Sequence, residues 1–248
     1  MERTRILREM GLGPVWKLRA APAEVVLEER EAEHASSPLA ASLPVAAVNP
    51  PPSMAPAAPV MAMGWAELAA AVTACRLCPL CQNRKQAVLG VGDVNADWLF
   101  VGEGPGAEED QRGEPFVGQA GKLLDNMLAA IGLRRGQNVY IANAVKCRPP
   151  ENRTPTPEEV AACRPYLERQ IDLLQPKLIV ALGRPAAQTL LQAEVKIAAA
   201  RGKLHDYRGI PLVVTYHPAY LLRTLLDKAK AWEDLCFMKR SMPTLRGD

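Results

Sequence analysis

Four apolar runs, Trp98–Val101, Val139–Val145, Leu178–Leu182 and Leu212–Tyr216, are spread through a chain of 248 residues. Patterns of helical period lie between them, over Gln119–Ile131, Pro157–Leu174 and Arg184–Gln192. Runs that are continuously apolar, rather than alternating, belong to strands covered on both faces, and helical connections make such strands parallel. The fold class is therefore α/β, a parallel sheet between layers of helices. Local signals agree. Thr156 stands before Pro157 as an N-cap, with Glu159 three residues on to complete a capping box. Trp65–Val72 reads as a helix that delivers the chain to Cys75. Pro218 stops the fourth run, and Tyr220–Met238 reads as a closing helix.

The pattern starts near residue 65, so residues 65–248 are expected to form one domain without internal repeats. Residues 1–64 differ in composition. A short amphipathic segment, residues 3–19, is followed by the acidic patch Glu28–Glu33 and then an Ala/Pro stretch containing Pro44, Pro50, Pro51, Pro52, Pro56 and Pro59. Such a composition cannot build a core and reads as a largely disordered linker, or as a docking peptide for a protein partner. The 1–64 extension carries six Lys/Arg against seven Asp/Glu, and the remainder twenty-four against twenty. The small basic excess of the domain permits nucleic-acid binding without requiring it. No apolar run approaches the roughly 18 residues of a membrane span, and the N-terminus lacks a secretory h-region. A cytoplasmic protein is expected, in which six cysteines point to metal or redox chemistry rather than disulfides.

Between the first apolar run and the next helix lies a glycine-rich stretch, Gly102–Gly121. Strand, glycine-rich loop and helix converge backbone N–H groups at the carboxyl edge of a sheet. The loop also carries Glu103, Glu108, Glu109, Asp110 and Phe116, too much negative charge for a phosphate cradle. The spacing Gly102-x-Gly104-x-Gly106 is also wrong for a dinucleotide fingerprint.

Cys75-Arg76-Leu77-Cys78-Pro79-Leu80-Cys81 gives two overlapping C-x2-C pairs, with Cys147, Cys163 and Cys236 far downstream. A C-x2-C pair plus two distant cysteines can hold tetrahedral zinc or an iron–sulfur cluster, and spacing alone does not choose. Cys236 reads as a small buried hydrophobe on an amphipathic helix.

Several motifs together resemble those of the family 4 uracil-DNA glycosylases. They are Gly102-Glu103-Gly104-Pro105-Gly106, the segment from Gly113 to Gly121, Asn143 with Lys146-Cys147-Arg148-Pro149-Pro150-Glu151-Asn152-Arg153, and His217-Pro218-Ala219-Tyr220-Leu221-Leu222-Arg223. The resemblance covers roughly residues 65–240. It implies a three-layer fold with a central four-stranded parallel sheet and a [4Fe–4S] cluster held by Cys75, Cys78, Cys147 and Cys163, with Cys81 left out. A related branch bonds covalently to uracil through a histidine-containing insert after the second strand. The corresponding Arg148–Arg153 has no histidine, which implies the hydrolytic branch. The implied activity is excision of uracil from single- or double-stranded DNA by a monomer, leaving an abasic site for base excision repair.

That chemistry needs a base flipped out of the stack, negative charge stabilised on uracil O2, and water near C1′. The resemblance makes Phe116 the stacking floor, against the alternative of a core plug. Asn143, ending the second strand, would read O4 and N3–H with one amide. His217, ending the fourth, would donate to O2. Glu103 would orient water or balance the sugar cation, and Gly104 would offer its N–H to the base. Glu109 would exclude the thymine methyl, or pair with Asn152 to shape the water site. Glu108 and Asp110 read as solvated charges. Tyr220 and Leu221 would meet DNA as an apolar wedge, against a core role for Leu221 and Leu222. Arg223 would contact phosphate, with Lys146, Arg148 and Arg153 extending the track. His205 reads as a turn residue, and the cluster as a structural clamp. The competing class is a DNA-binding iron–sulfur protein that holds uracil-DNA without turnover.

Overall fold

In a computed structural model of the chain, residues 60–247 are described; the amphipathic segment 3–19, the acidic patch, the Ala/Pro stretch and His34 lie outside them. The sheet starts in its middle. Strand β2 (Trp98–Gly102) pairs in parallel with β3 (Val139–Asn143) on one side and β4 (Leu178–Leu182) on the other, and β4 pairs in parallel with β6 (Ile210–Thr215). These four parallel strands are the ones the apolar runs predict. Two short antiparallel strands extend the edges, β1 (Val91–Gly92) on β3 and β5 (Leu204–Tyr207) on β6, so the sheet is mixed and six-stranded, in the order β1-β3-β2-β4-β6-β5. Neither edge strand has an apolar run to announce it. β1 is two residues long, and β5 is largely exposed. His205 therefore sits in a strand rather than a turn, and the turn falls at Arg208-Gly209, both at positive φ, as a two-residue hairpin demands.

Side chains of the parallel strands alternate between two apolar layers. Phe100, Ile141, Val180 and Val213 face α3 (Gln119–Ala130) and the C-terminal helix α8 (Lys228–Arg246). Leu99, Val101, Tyr140, Ala142, Ile179, Ala181 and Val214 face α4 (Pro157–Leu174) and α5 (Arg184–Leu191). A third cluster packs Leu68 and Val72 of α1 (Trp65–Ala74) against Leu80, Val145, Cys147, Cys163 and Tyr166. Thr156 caps α4, accepting from the Glu159 N–H while Glu159 returns to the Thr156 N–H at 2.8 Å. Short α6 (Ile197–Ala200) precedes β5.

Two boundaries depart from the periodicity. Residues Ala107–Arg112 within the glycine-rich stretch form a helix, α2. The closing helix is broken: α7 (Pro218–Arg223) ends at Thr224, a single 3-10 turn follows over Leu225–Asp227, and α8 begins at Lys228. None of the helices among the described residues is long and apolar enough to cross a membrane.

The chain crosses from β2 to β3 on one side and then from β3 back past β2 to β4 on the other, and the crevice at such a switch point is where an open parallel sheet binds its ligand. Residues 103, 143, 183 and 216–217 all emerge at that edge.

Candidate active site

A cavity of about 880 Å3 opens at this carboxyl edge, bordered by Glu103, Gly104, Phe116, Asn143, Tyr216 and His217. All of these but Tyr216 are singled out in the sequence, and they come together from three different strand ends and one loop.

Asn143 is the last residue of β3, in register with Gly102 of β2, and it is 2 % exposed. Its Oδ1 is buried without a hydrogen-bond partner among the described residues. Unmade hydrogen bonds in a protein interior are costly, and Asn143 is among the residues that border the cavity. Gly102 makes the arrangement possible: a Cβ there would stand 2.5 Å from both Asn143 Oδ1 and Phe116 Cζ.

Phe116 is buried, with φ of 55°, and its ring both joins the core cluster and borders the cavity. Stacking floor and core plug are therefore compatible for this side chain. The loop that presents it is gripped from two sides. Arg135 donates to the carbonyls of Pro115 and Phe116 at 2.8 and 2.7 Å, and Glu109 accepts from the N–H groups of Val117 and Gly118 at 2.8 and 3.0 Å. Helix α3 passes so close that a Cβ at Gly121 would lie 1.8 Å from the Phe116 oxygen, hence the glycine. Glu109 also takes the Gly106 N–H at 3.1 Å. Its carboxylate borders the cavity as a clamp for the loop, with both oxygens accepting from loop N–H groups rather than from Asn152, whose Oδ1 accepts from Arg148 Nε at 2.8 Å. Asn152 is exposed on the cavity rim, at positive φ.

His217 follows β6 and caps α7: Nδ1 accepts from the Ala219 N–H at 3.1 Å. Its ring centroid lies 5.5 Å from that of Phe116. Burial, reinforced by the nearby Arg223 cation, pushes the imidazole pKa down to about 4. The ring is therefore neutral near pH 7, and with Nδ1 accepting, its proton is on Nε2. Burial likewise raises the Glu103 carboxyl above its ordinary range, against a hydrogen bond from Thr154 and the charge of Arg184. Thr154, Arg184 and Tyr216 border the cavity and were not legible as site residues, since each stands alone in a polar or mixed context.

Several surface expectations are corrected. Leu221 is 1 % exposed and belongs to the core beside α3, so it cannot meet DNA; its neighbour Leu222 is 42 % exposed, and Leu225 and Leu226 are more so. Tyr220 stacks on Tyr216 and donates its hydroxyl to Asp227 at 2.6 Å, which holds it at the cavity wall. Arg223 is exposed at the lip. Lys146 is not on any phosphate track: it is 1 % exposed, and its Nζ donates to the Asn143 carbonyl at 2.8 Å and to Gln170 Oε1. Arg153 is paired in both arms with Glu159, at 2.8 and 2.7 Å, while Arg148 is half-buried beside Asn152. Asp110 is not a solvated charge. It is 2 % exposed, and Oδ1 accepts from the Lys85 N–H at 2.9 Å, which ties α2 to the segment after the cysteines. Glu108 is exposed.

Cys75, Cys78, Cys81, Cys147 and Cys163 border one small cavity between α1 and α4. Arg84 donates to Cys147 Sγ at 2.8 Å and to the carbonyls of Thr73 and Cys75, and the Lys146 N–H donates to Cys163 Sγ at 3.2 Å. Burial raises the thiol pKa of Cys78 and Cys147, and pushes Cys163 up to about 12. Cys236 is half-buried on α8, away from this set. Among the described residues no three His, Cys, Asp or Glu side chains close on one point as a single ion would need.

Comparison with known proteins supplies the family. The family described as the uracil DNA glycosylase superfamily matches residues 89–236. The type-4 uracil-DNA glycosylase of Thermotoga maritima is 51 % identical over 154 residues, which cover 61 % of this chain and 80 % of that protein. That of Archaeoglobus fulgidus is 48 % identical over 159 residues, 61 % of this chain and 79 % of its own. The type-5 uracil-DNA glycosylase of Thermus thermophilus is less similar, at 38 % over 151 residues. The chain belongs to the uracil-DNA glycosylase superfamily, on its type-4 branch.

Proposed function

We propose that this chain excises uracil from DNA, hydrolysing the bond between deoxyribose C1′ and base N1 and leaving an abasic site, the first step of base excision repair. The observation that carries the reading is the unpartnered, buried Asn143 Oδ1, which shares a cavity with a neutral His217 and the Phe116 ring.

The roles follow from the chemistry. A uracil flipped into the cavity stacks on Phe116. Its N3–H supplies the donor that Asn143 Oδ1 lacks, while the amide Nδ2 donates to O4. Cytosine offers the opposite pattern at both atoms, so a fixed amide rejects it. As the glycosidic bond lengthens, the sugar becomes cationic and charge gathers on O2. The Nε2–H of His217 is a preorganised donor toward that charge, in a pocket where water does not compete. Gly104 offers its N–H on the loop side. Glu103 receives the proton of the attacking water or balances the sugar cation. The raised Glu103 pKa suits a base. Leu222, with Leu225 and Leu226, offers the apolar wedge that fills the vacated place in a duplex, and Arg223 a phosphate contact.

Cys75, Cys78, Cys147 and Cys163 would hold the [4Fe–4S] cluster. The donor set fits: soft sulfur ligands, no carboxylate among them, and two N–H donors aimed at sulfur. Burial disfavours free thiolates here, and iron supplies the positive charge that deprotonates them. When bound, the group joins the C-x2-C segment to the insert between β3 and α4 as a structural clamp.

A uracil-release assay on wild type, Asn143→Asp and His217→Ala tests the proposal. Free uracil from a uracil-containing oligonucleotide without strand cleavage is expected. Tight binding with no release by wild type would leave only the DNA-binding alternative.

A further inference from the structure

We infer that Lys146 is a positioning residue for uracil recognition, joining the cysteine cavity to the amide of Asn143. The inference rests on the reading of Asn143 as the residue that reads the base.

Asn143 ends its strand, but the chain does not leave the sheet there. The N–H groups of Ala144 and Val145 donate to the carbonyls of Gly102 and Glu103 at 2.8 and 3.1 Å, so the backbone runs on beside the catalytic loop. Lys146 then reaches back. Its Nζ donates to the Asn143 carbonyl at 2.8 Å and to Gln170 Oε1. Its backbone is used as fully: the N–H donates to Cys163 Sγ at 3.2 Å, and the carbonyl accepts from the Val88 N–H at 2.8 Å. Gln170, wholly buried, spends its Nε2 on the Leu89 carbonyl and the Tyr140 hydroxyl. One residue thus spans from a cysteine sulfur to the strand end that carries the reading amide.

A lysine without access to water is an expensive way to fill space. An apolar side chain of that length would pack without the desolvation. What it would not do is hold the Asn143 carbonyl. That matters because Asn143 Oδ1 has no protein partner among the described residues to orient it; the amide is aimed by its own backbone and by its close approach to Gly102. Discrimination between uracil and cytosine depends on which way that amide points. Freeing the backbone at Asn143 should therefore cost recognition more than fold.

The test uses the full chain with its cluster, comparing wild type, Lys146→Met, Asn143→Ala and the double variant. Single-turnover excision, substrate binding, thermal melting and visible absorbance are measured on each. Lys146→Met should lower uracil excision on the order of tenfold to a hundredfold, the cost of a misplacement near 1 Å, with absorbance retained. In the Asn143→Ala background the same substitution should cost almost nothing further, because its effect passes through the amide. A folded, coloured Lys146→Met that excises uracil like wild type would overturn the inference, as would an undiminished loss in the Asn143→Ala background. Should Lys146→Met not accumulate as folded protein, Gln170→Leu removes the second anchor of Nζ and carries the same cycle, with the same outcomes. Failure of the glycosylase reading would show separately, as no uracil release by wild type.

Discussion

The Ala219 N–H donates to His217 Nδ1 at 3.1 Å, and this one bond decides which nitrogen of the imidazole can face a substrate. With Nδ1 accepting from the backbone, Nε2 carries the proton. Burial holds the pKa near 4, so in the proposed reaction the ring would meet uracil O2 as a neutral donor. His217→Ala is expected to lower single-turnover excision by roughly 10²–10³, the usual cost of one donor to a developing anion, with little change in DNA binding. A linked consequence appears in stability. An unfolded histidine takes a proton near pH 6.5, whereas His217 resists it until about pH 4. The unfolded chain therefore binds more protons in this window, and stability falls as pH drops through it. The contribution is no more than about 3 kcal/mol, and less where the open edge of the ring is hydrated. Chemical denaturation of wild type and His217→Gln at pH 7 and pH 4.5 measures it: the variant should lose less stability between the two.

Glu103 sets a different limit. Its carboxyl is raised above the ordinary range, mainly by burial, whereas His217 stays neutral down to about 4. In the proposed reaction Glu103 acts as the carboxylate, so excision should fall as pH drops through the raised Glu103 pKa, before His217 takes a proton. Single-turnover rates from pH 4.5 to 8 on wild type and Glu103→Gln check this. The variant should be slower by about 10² or more and should lack the acid limb. An unchanged acid limb in Glu103→Gln would assign it to another group.

Asn143 and His217 are legible in the sequence because each sits near or just past the end of an apolar run, the end at which a parallel sheet binds its ligand. The residues that support them are not. Asp110 reads as a solvated loop charge and Lys146 as a phosphate contact, yet the fold closes over both. What buries them is a set of long-range partners, the Lys85 N–H for the first and Gln170 and Cys163 for the second, and no local pattern encodes those. The two leucines after Tyr220 show a different gap. Successive helical residues point about 100° apart, so one of the pair must face the core. Which one depends on the phase of a helix that starts afresh at Pro218 and stops at Thr224. Extending one period through Met238 hides that break. The edge strands fail for a third reason: β1 has two residues and β5 mostly faces solvent, too little apolar pattern to register.

Asn143→Asp replaces the donor group of the amide with a second acceptor. A carboxylate only accepts, so it would meet uracil O4 with repulsion and the cytosine amino group with attraction. Uracil excision should fall by about 10² or more, and the ratio of cytosine to uracil release should rise. Release from matched oligonucleotides carrying either base measures both. An unaltered ratio would remove Asn143 from base recognition.

Leu221 and Leu222 should separate cleanly. Leu221 is core, and Leu221→Ala should cost about 2–5 kcal/mol of stability through the cavity it leaves. Leu222 and Leu226 are exposed, so alanine at either should leave melting nearly unchanged. If they wedge into the gap left by a flipped base, their loss should slow excision from duplex DNA several-fold while single-stranded substrate, which has no stack to hold open, changes by less than about twofold. Equal losses on the two substrates would point to a phosphate or pocket effect instead.

The cysteine cavity lies between α1 and α4. Five cysteines border it, and a [4Fe–4S] cluster takes four. Cys147 and Cys163 are the buried pair, each with an N–H donor aimed at sulfur, and Cys75 and Cys78 approach from the end of α1. Cys81 lies on the 3-10 turn beyond them, without a donor of that kind. Purified wild type should absorb near ~400 nm, as thiolate-to-iron charge transfer requires. Cys163→Ser should lose that band and melt at lower temperature, because the segment Cys75–Cys81 and the insert from Cys147 to Cys163 are then no longer joined. Cys81→Ser should keep both colour and melting point. Bleaching in Cys81→Ser with colour retained in Cys163→Ser would exchange the two in the ligand set; a colourless wild type binding one zinc per chain would replace the cluster by a single ion.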